Sequence, residues 1–188
     1  MAHTMGINEP VTLATDYINA AASVVFGVLL WRRNVRSWAL TFFFTAAGSL
    51  FGGTFHGFGG EMWWKLTIYS IGLASLFLLL PFLRVVAIAI FVAYAAWMTV
   101  HDSFGWVIAD YGVSLLLLVI VMIVKWSPMS RWVLASVAVS VVAATVQQAP
   151  IAFHNDIYHV VQLGALWLLY RAGTLMNAAT DRPTSQPM

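Results

Sequence analysis

The sequence predicts an all-α, polytopic membrane protein with seven transmembrane helices. The first observation is composition, because 61% of the 188 residues are hydrophobic and only 9% are charged. A soluble domain carries about 25% charged residues, and the mean hydropathy here is +0.85. The second observation is that the apolar residues form separate stretches, each near the ~20 residues that a helix needs to cross a bilayer. The third is that basic residues cluster after every second stretch.

The predicted helices follow one another along the chain with short connections. They span residues 12–31, 38–58, 63–83, 85–101, 106–125, 131–149 and 154–172. Continuous apolar runs favour helices over strands, since a membrane-spanning strand needs only ~10 residues and alternates in hydrophobicity. Residues 1–173 are therefore predicted to form one transmembrane domain, and residues 174–188 a short flexible tail.

The basic residues predict the orientation of these helices. With seven helices, every basic residue except Lys65 falls at one end of the bundle. The residues at this end are Arg32, Arg33, Arg36, Arg84, Lys125, Arg131, Arg171 and Arg182. Because basic loops stay in the cytoplasm, the N-terminus is predicted to lie outside and the C-terminal tail in the cytoplasm. The very short loops favour a bacterial inner membrane.

Acidic residues and histidines are concentrated in the opposite, outer half of the predicted bundle. They are Glu9, Asp16, His56, Glu61, His101, Asp102, Asp110, His154, Asp156 and His159. Ionisable side chains within a bilayer are costly, face the interior of a bundle and mark functional sites. The sequence therefore predicts a functional site in the outer half, with hydrogen bonding between helices as the alternative role for any single histidine.

Helices 7 and 2 carry the most informative spacings. In helix 7, Asn155 and His159 are four residues apart and share a face, which Asp156 nearly shares. In helix 2, Ser49 lies two turns before His56 on nearly the same face. The small residues that would let another helix approach helix 2 are Gly48, Gly52, Gly53 and Gly57.

These side chains predict a metal-dependent hydrolase. Imidazole and carboxylate donors without any cysteine suit Zn²⁺, whose bound water is a nucleophile near neutral pH. The candidate ligands are His56, His101, His154 and His159. Asp110 and Asp156 are candidate acceptors for the water proton, and Ser49 is a candidate donor to an oxyanion. Within the outer leaflet, the accessible substrate is a lipid amide or ester.

The pattern resembles the seven-helix alkaline ceramidase and adiponectin-receptor superfamily of membrane hydrolases. The resemblance rests on the topology of the whole chain, on Ser49 and His56 in helix 2, and on the Tyr158–His159 end of the helix 7 motif. It implies a zinc site built from one helix 2 histidine and an HxxxH pair on helix 7, assisted by a serine and an aspartate. By position, His56 and His159 would be two of these ligands.

The sequence departs from the pattern of that superfamily at three places. Asn155 stands at the first histidine of HxxxH, and helix 3 has no aspartate. Ser49 lies seven residues before His56 rather than four, and Gly52 occupies the closer position. The residues that could supply the missing ligand are His101, Asp110, His154 and Asp156.

Two other function classes stay open at this point. The same polar cluster could bind a cation or proton in a small transporter or sensor, where Asp and His side chains act as relays. Alternatively, it could only join helices in a structural membrane protein. A nucleic-acid partner is not expected, because the net charge is only +2 and the basic residues are scattered.

Overall fold

The computed structural model describes residues 7–151 and 153–176. Within this range the chain forms seven α-helices: α1 Pro10–Arg32, α2 Arg36–Phe58, α3 Glu61–Leu79, α4 Arg84–Trp97, α5 Phe104–Val124, α6 Ser130–Gln148 and α7 His154–Gly173. The all-α class and the order of the helices are confirmed. Residues 177–188 of the predicted tail, including Arg182, lie outside the described residues.

The helices differ in how well they suit a bilayer. In the described part of the chain, α1, α2, α3, α5 and α6 are long and apolar enough to cross a membrane. The α4 helix is apolar but has only 14 residues. The α7 helix has 20 residues, but its first turns carry His154, Asn155, Asp156 and His159, which lower its hydropathy. The chain is therefore a membrane protein in which five of the described helices have the length and composition of a membrane span.

Two helices end earlier than the sequence predicted. The α3 helix stops at Leu79 rather than at residue 83, because Pro81 has no N–H to continue the ladder. The α4 helix stops at Trp97 rather than at residue 101. There the Thr99 hydroxyl donates to the Ala96 carbonyl at 2.7 Å, and His101 Nδ1 donates to the Trp97 carbonyl at 3.1 Å. These side chains satisfy the last carbonyl groups and terminate the helix.

The helices form a closed ring that leaves α4 outside. Around the ring, α1 contacts α2, α2 contacts α3, and α3 contacts α5. The ring continues from α5 to α6 and from α6 to α7, and it closes where α7 contacts α1. The α4 helix packs on the outer side of this ring against α3 and α5. Chain order alone would have placed α4 between them.

The two ends of the ring differ in charge and in packing. The basic end carries Arg32, Arg84, Lys125 and Arg171, and the acidic end carries Glu9, Glu61 and Asp102. A hydrophobic core fills the basic end, and its largest buried side chains include Trp38, Phe42, Leu78 and Met122. Trp38 Nε1 donates to the Leu78 carbonyl at 3.2 Å. Because the basic end is filled, space for a ligand lies toward the acidic end.

Candidate functional site

A cavity of 440 Å³ lies inside the ring toward the acidic end. Ligand sites commonly have volumes of about 300–1,000 Å³, with apolar walls and a few polar groups. The apolar wall includes Phe55, Ile71, Val107, Leu115 and Leu166. The polar and ionisable lining residues are Asp16, Asn19, Thr45, Ser49, His56, Thr67, Tyr111, Ser140, Gln147, Asn155, Tyr158, His159 and Gln162.

The most buried ionisable pair in this cavity is Asp16 of α1 and His159 of α7. Asp16 is 6% exposed and His159 is 8% exposed. Asp16 Oδ1 lies 3.3 Å from His159 Nε2. The backbone carbonyl of His159 accepts a hydrogen bond of 3.1 Å from Asn19 Nδ2. These contacts hold α1 and α7 together at the cavity wall.

Asp16 and Thr15 lie at the two ring nitrogens of His159. The Thr15 hydroxyl lies 3.0 Å from the Thr12 carbonyl and 2.9 Å from His159 Nδ1, and its single hydrogen can go to either atom. With the ring proton on Nε2, the ring can donate to Asp16 Oδ1 at 3.3 Å. With the ring proton on Nδ1, Nε2 and Oδ1 are both acceptors, and a proton or a cation must lie between them.

The Nδ1 atom of His56 also has a side-chain partner. It lies 3.1 Å from Glu9 Oε2, and an ionised carboxylate only accepts, so Nδ1 donates. The Nε2 atom of a neutral His56 ring is then also an acceptor. The rings of His56 and His159 are close enough to interact electrostatically. Histidines that bind metals are anchored in this way, with one ring nitrogen on an oxygen acceptor.

Glycines of α2 bring that helix close to Asp16. A Cβ atom on Gly53 would lie 2.8 Å from Asp16 Cβ and 3.1 Å from the Tyr17 ring. A Cβ atom on Gly52 would lie 3.8 Å from Asp16 Oδ2. The prediction that small residues let another helix approach helix 2 is therefore confirmed at Gly53, which packs against Asp16 of α1.

Replacing Gly53 by valine is expected to lower the free energy of unfolding by about 1–3 kcal/mol, because the new side chain overlaps Asp16. Denaturant or thermal unfolding of the purified protein in detergent measures this loss. Gly164→Val is the matched control, since Gly164 is an exposed helical glycine whose Cβ would meet nothing within 4 Å. Equal stability of the two variants would contradict the close packing of α1 on α2.

A family model described as a family of unknown function, DUF6962, matches residues 11–178. The chain belongs to that family. The match covers all seven helices, so every cavity-lining residue of this DUF6962 member lies inside the shared region. Neither the curated proteins nor the solved structures contain a match.

The cavity of this DUF6962 member brings together three of the predicted site residues, namely Ser49, His56 and His159. The other four do not line it. Asp156 accepts a hydrogen bond of 2.8 Å from Thr12 Oγ1 and so ties α7 to α1. Asp110 is buried where α5 packs on α3. His101 stacks on Trp97 with ring centroids 3.8 Å apart, and His154 Nδ1 donates to the Ile151 carbonyl at 3.0 Å.

The α1 helix supplies polar side chains at the candidate site that were not predicted to belong to it. The sequence marks Asp16 as an intramembrane carboxylate, but the predicted site includes neither Asp16 nor Thr12, Thr15 and Asn19. Their spacing is a detectable signal, because residues 12, 15, 16 and 19 form one polar strip on an otherwise apolar helix. All four contact α7 in the structure.

A zinc ion fits part of this donor set. Ligands at ~2.0–2.1 Å from a tetrahedral zinc ion lie about 3.3–3.4 Å apart, and Asp16 Oδ1 and His159 Nε2 are 3.3 Å apart. However, among the described residues no group of three His, Cys, Asp or Glu side chains surrounds one point. His56 would have to move toward the pair to complete a three-ligand site.

Proposed function

We propose that this protein is an integral-membrane hydrolase of lipid amide or ester bonds and that its catalytic centre is the Asp16–His159 pair. The observation that carries the proposal is a buried carboxylate and imidazole 3.3 Å apart at the polar end of an apolar cavity. Carboxylates and imidazoles held close to a substrate act as general bases. The pair can therefore accept the proton that an attacking water must lose.

The residues around the pair have distinct roles in this mechanism. Asp16 Oδ2 is on the side of Gly52, a cavity-lining residue, and takes the proton from the attacking water. Thr15 keeps the His159 ring oriented so that Nε2 faces Asp16 Oδ1. Ser49 lines the same cavity, and its hydroxyl donates to the oxyanion that forms on the substrate carbonyl.

Zinc belongs to the proposal as a resident metal. Asp16, His159 and His56 would hold it, and a zinc ion bound there would supply a hydroxide nucleophile at neutral pH. Two histidines with anchored Nδ1 atoms support this assignment. The resemblance to the alkaline ceramidase and adiponectin-receptor superfamily supports it too, since His56 and His159 occupy ligand positions of that superfamily.

A lipid is the substrate class that the cavity wall favours. Some of the residues of α5 and α6 that line the cavity are also exposed, and Val141 of α6 is 58% exposed. Ile108 and Gly112 are exposed lining residues on α5. Near the basic end α5 contacts α6, where the Met122 sulfur and the Ser130 hydroxyl lie 3.7 Å apart. Toward the acidic end, an acyl chain can enter between these helices from the hydrocarbon.

Replacing Gly112 by tryptophan is expected to block this entry and to lower the rate of lipid hydrolysis at least ~10-fold. A Cβ atom on Gly112 would meet nothing within 4 Å, so the indole has room to fill the gap without disturbing the helix. Gly164→Trp is the matched control, because Gly164 is equally exposed and open but does not line the cavity. Equal losses in both variants would contradict entry between α5 and α6.

The proposed orientation places the acidic end, and with it the cavity, in the outer half of a bacterial inner membrane. The basic residues of the described range support this, since all but Lys65 are at the opposite end. At that end Arg171 lies 5.2 Å from the Trp132 ring and 5.9 Å from the Trp167 ring. Such aromatic and basic side chains are typical of a membrane interface.

A proton or cation transporter is the second candidate. The same pair supports it, because a buried carboxylate and imidazole 3.3 Å apart can bind a proton or a cation whether or not a substrate is hydrolysed. Two observations argue against a transporter. Both ion pairs found in the described residues lie at the acidic end. The basic end is filled by apolar side chains. A transport path would have to cross that apolar core.

The decisive experiment is hydrolysis by the purified protein in mixed micelles, with a long-chain N-acyl amide and the matching ester as substrates. Fatty-acid release, together with one metal ion per chain by elemental analysis, is the expected result. Fatty-acid release without metal would retain the Asp16–His159 mechanism and remove zinc from it. Absence of release from both substrates, with proton or cation uptake into vesicles, would replace the hydrolase by the transporter.

A further inference from the structure

A second polar cluster lies outside the cavity, where α3 packs on α5. Four buried side-chain oxygens in the described residues make no hydrogen bond, and three of them are Ser75 Oγ, Asp110 Oδ2 and Ser114 Oγ. These residues are 2%, 8% and 1% exposed, respectively. Buried polar atoms without a partner are rare in folded proteins, and each one indicates a missing water, ion or ligand.

The three side chains lie on α3 and on one face of α5, and these two helices are in contact. Asp110 and Ser114 are four residues apart on α5 and therefore lie on the same face, one turn apart. Ser75 of α3 approaches the carboxyl group of Asp110 to near hydrogen-bonding distance. The Tyr94 hydroxyl of α4 also interacts electrostatically with Asp110, but its hydrogen is donated to the Ile68 carbonyl at 2.9 Å.

The charge of Asp110 has no counter-charge in the described residues. The ion pairs there join His56 to Glu9 and His159 to Asp16, and neither includes Asp110. A bare carboxylate inside an apolar bundle is costly. The Ser75 hydroxyl is near enough to stabilise it, but neither Ser75 Oγ nor Ser114 Oγ makes a hydrogen bond of regular geometry. A cation bound by these oxygens would supply the missing positive charge.

We propose that Ser75, Asp110 and Ser114 form a binding site for a monovalent metal cation, with sodium as the representative ion. One carboxylate balances one positive charge, whereas a divalent ion would leave an uncompensated charge inside the bundle. Carboxylate and hydroxyl oxygens are hard ligands that suit such an ion. This site is separate from the catalytic cavity, which none of the three residues lines, and it does not depend on the proposed hydrolase activity.

The test is the thermal stability of the purified protein in sodium chloride and in N-methylglucamine chloride at equal ionic strength. Sodium should raise Tm saturably, by about 3–6 °C at ten times the Kd. Asp110→Asn should abolish the rise, and Ser114→Ala should raise the apparent Kd at least ~10-fold. Ser23→Ala is the matched control, because Ser23 Oγ is also buried and unpaired but lies on α1, and this variant should keep the full rise.

Two outcomes would overturn the proposal. Equal Tm values of the wild-type protein in both salts would mean that water or a proton fills the cluster. A sodium-dependent rise that survives in both Asp110→Asn and Ser114→Ala would place the ion elsewhere. If Asp110→Asn does not fold, Ser75→Ala takes its place beside Ser114→Ala, and the same two outcomes decide.

Discussion

Replacing His159 by alanine is expected to lower hydrolytic activity by at least ~10³-fold while the helical bundle stays folded. The substitution removes Nε2, which lies 3.3 Å from Asp16 Oδ1 and holds the proton acceptor in place, and proton transfer by a positioned side chain contributes about 10²–10⁴-fold. Any bound metal should be lost at the same time. The hydrogen bond from Asn19 to the His159 carbonyl uses the backbone and is kept, so the free energy of unfolding should fall by only about 1–3 kcal/mol.

Fatty-acid release, metal content and thermal unfolding in detergent measure the three effects separately. His154→Ala is the matched control, because it removes another histidine from the start of α7 that lies outside the cavity. This control should keep wild-type activity, although the sequence alone made His154 a candidate ligand. Wild-type activity in His159→Ala would refute the hydrolase mechanism and leave His159 as a residue that joins α1 and α7.

Replacing Asp16 by asparagine is expected to abolish activity without destabilising the protein. The asparagine amide can donate to or accept from His159 Nε2, so the contact at 3.3 Å keeps a hydrogen-bond partner in either tautomer of the ring. We expect the free energy of unfolding to change by no more than about 1 kcal/mol, while activity falls about 10²–10⁴-fold because the proton acceptor is lost.

A loss of activity without a loss of stability would separate a functional pair from a structural one. If Asp16 had only a structural role, the Asp16→Asn variant would keep its activity. Asp156→Asn is the matched control, since Asp156 is also an α1–α7 contact but does not line the cavity. This control variant should lose little activity. An Asp16→Asn variant that is active and less stable would contradict the catalytic role.

The sequence by itself determined the all-α membrane fold, because continuous apolar stretches of this length leave few alternatives. The ends of α1 and α2 were predicted to within two residues, since Arg32 and Arg36 flank them. It also placed His56 and His159 in one site, since an ionisable group in a bilayer faces the interior. Both residues line the cavity in the structure.

Only the tertiary structure decided which polar groups meet. It moved α4 outside the ring, turned Asp110 toward α3 and brought Asp16 against His159. The physical reason is that lipid and protein interior are equally apolar, so the hydrophobic pattern of a membrane helix does not mark its inward face. That face is set by close packing, such as Gly53 against Asp16, and by side-chain hydrogen bonds between helices far apart in the chain.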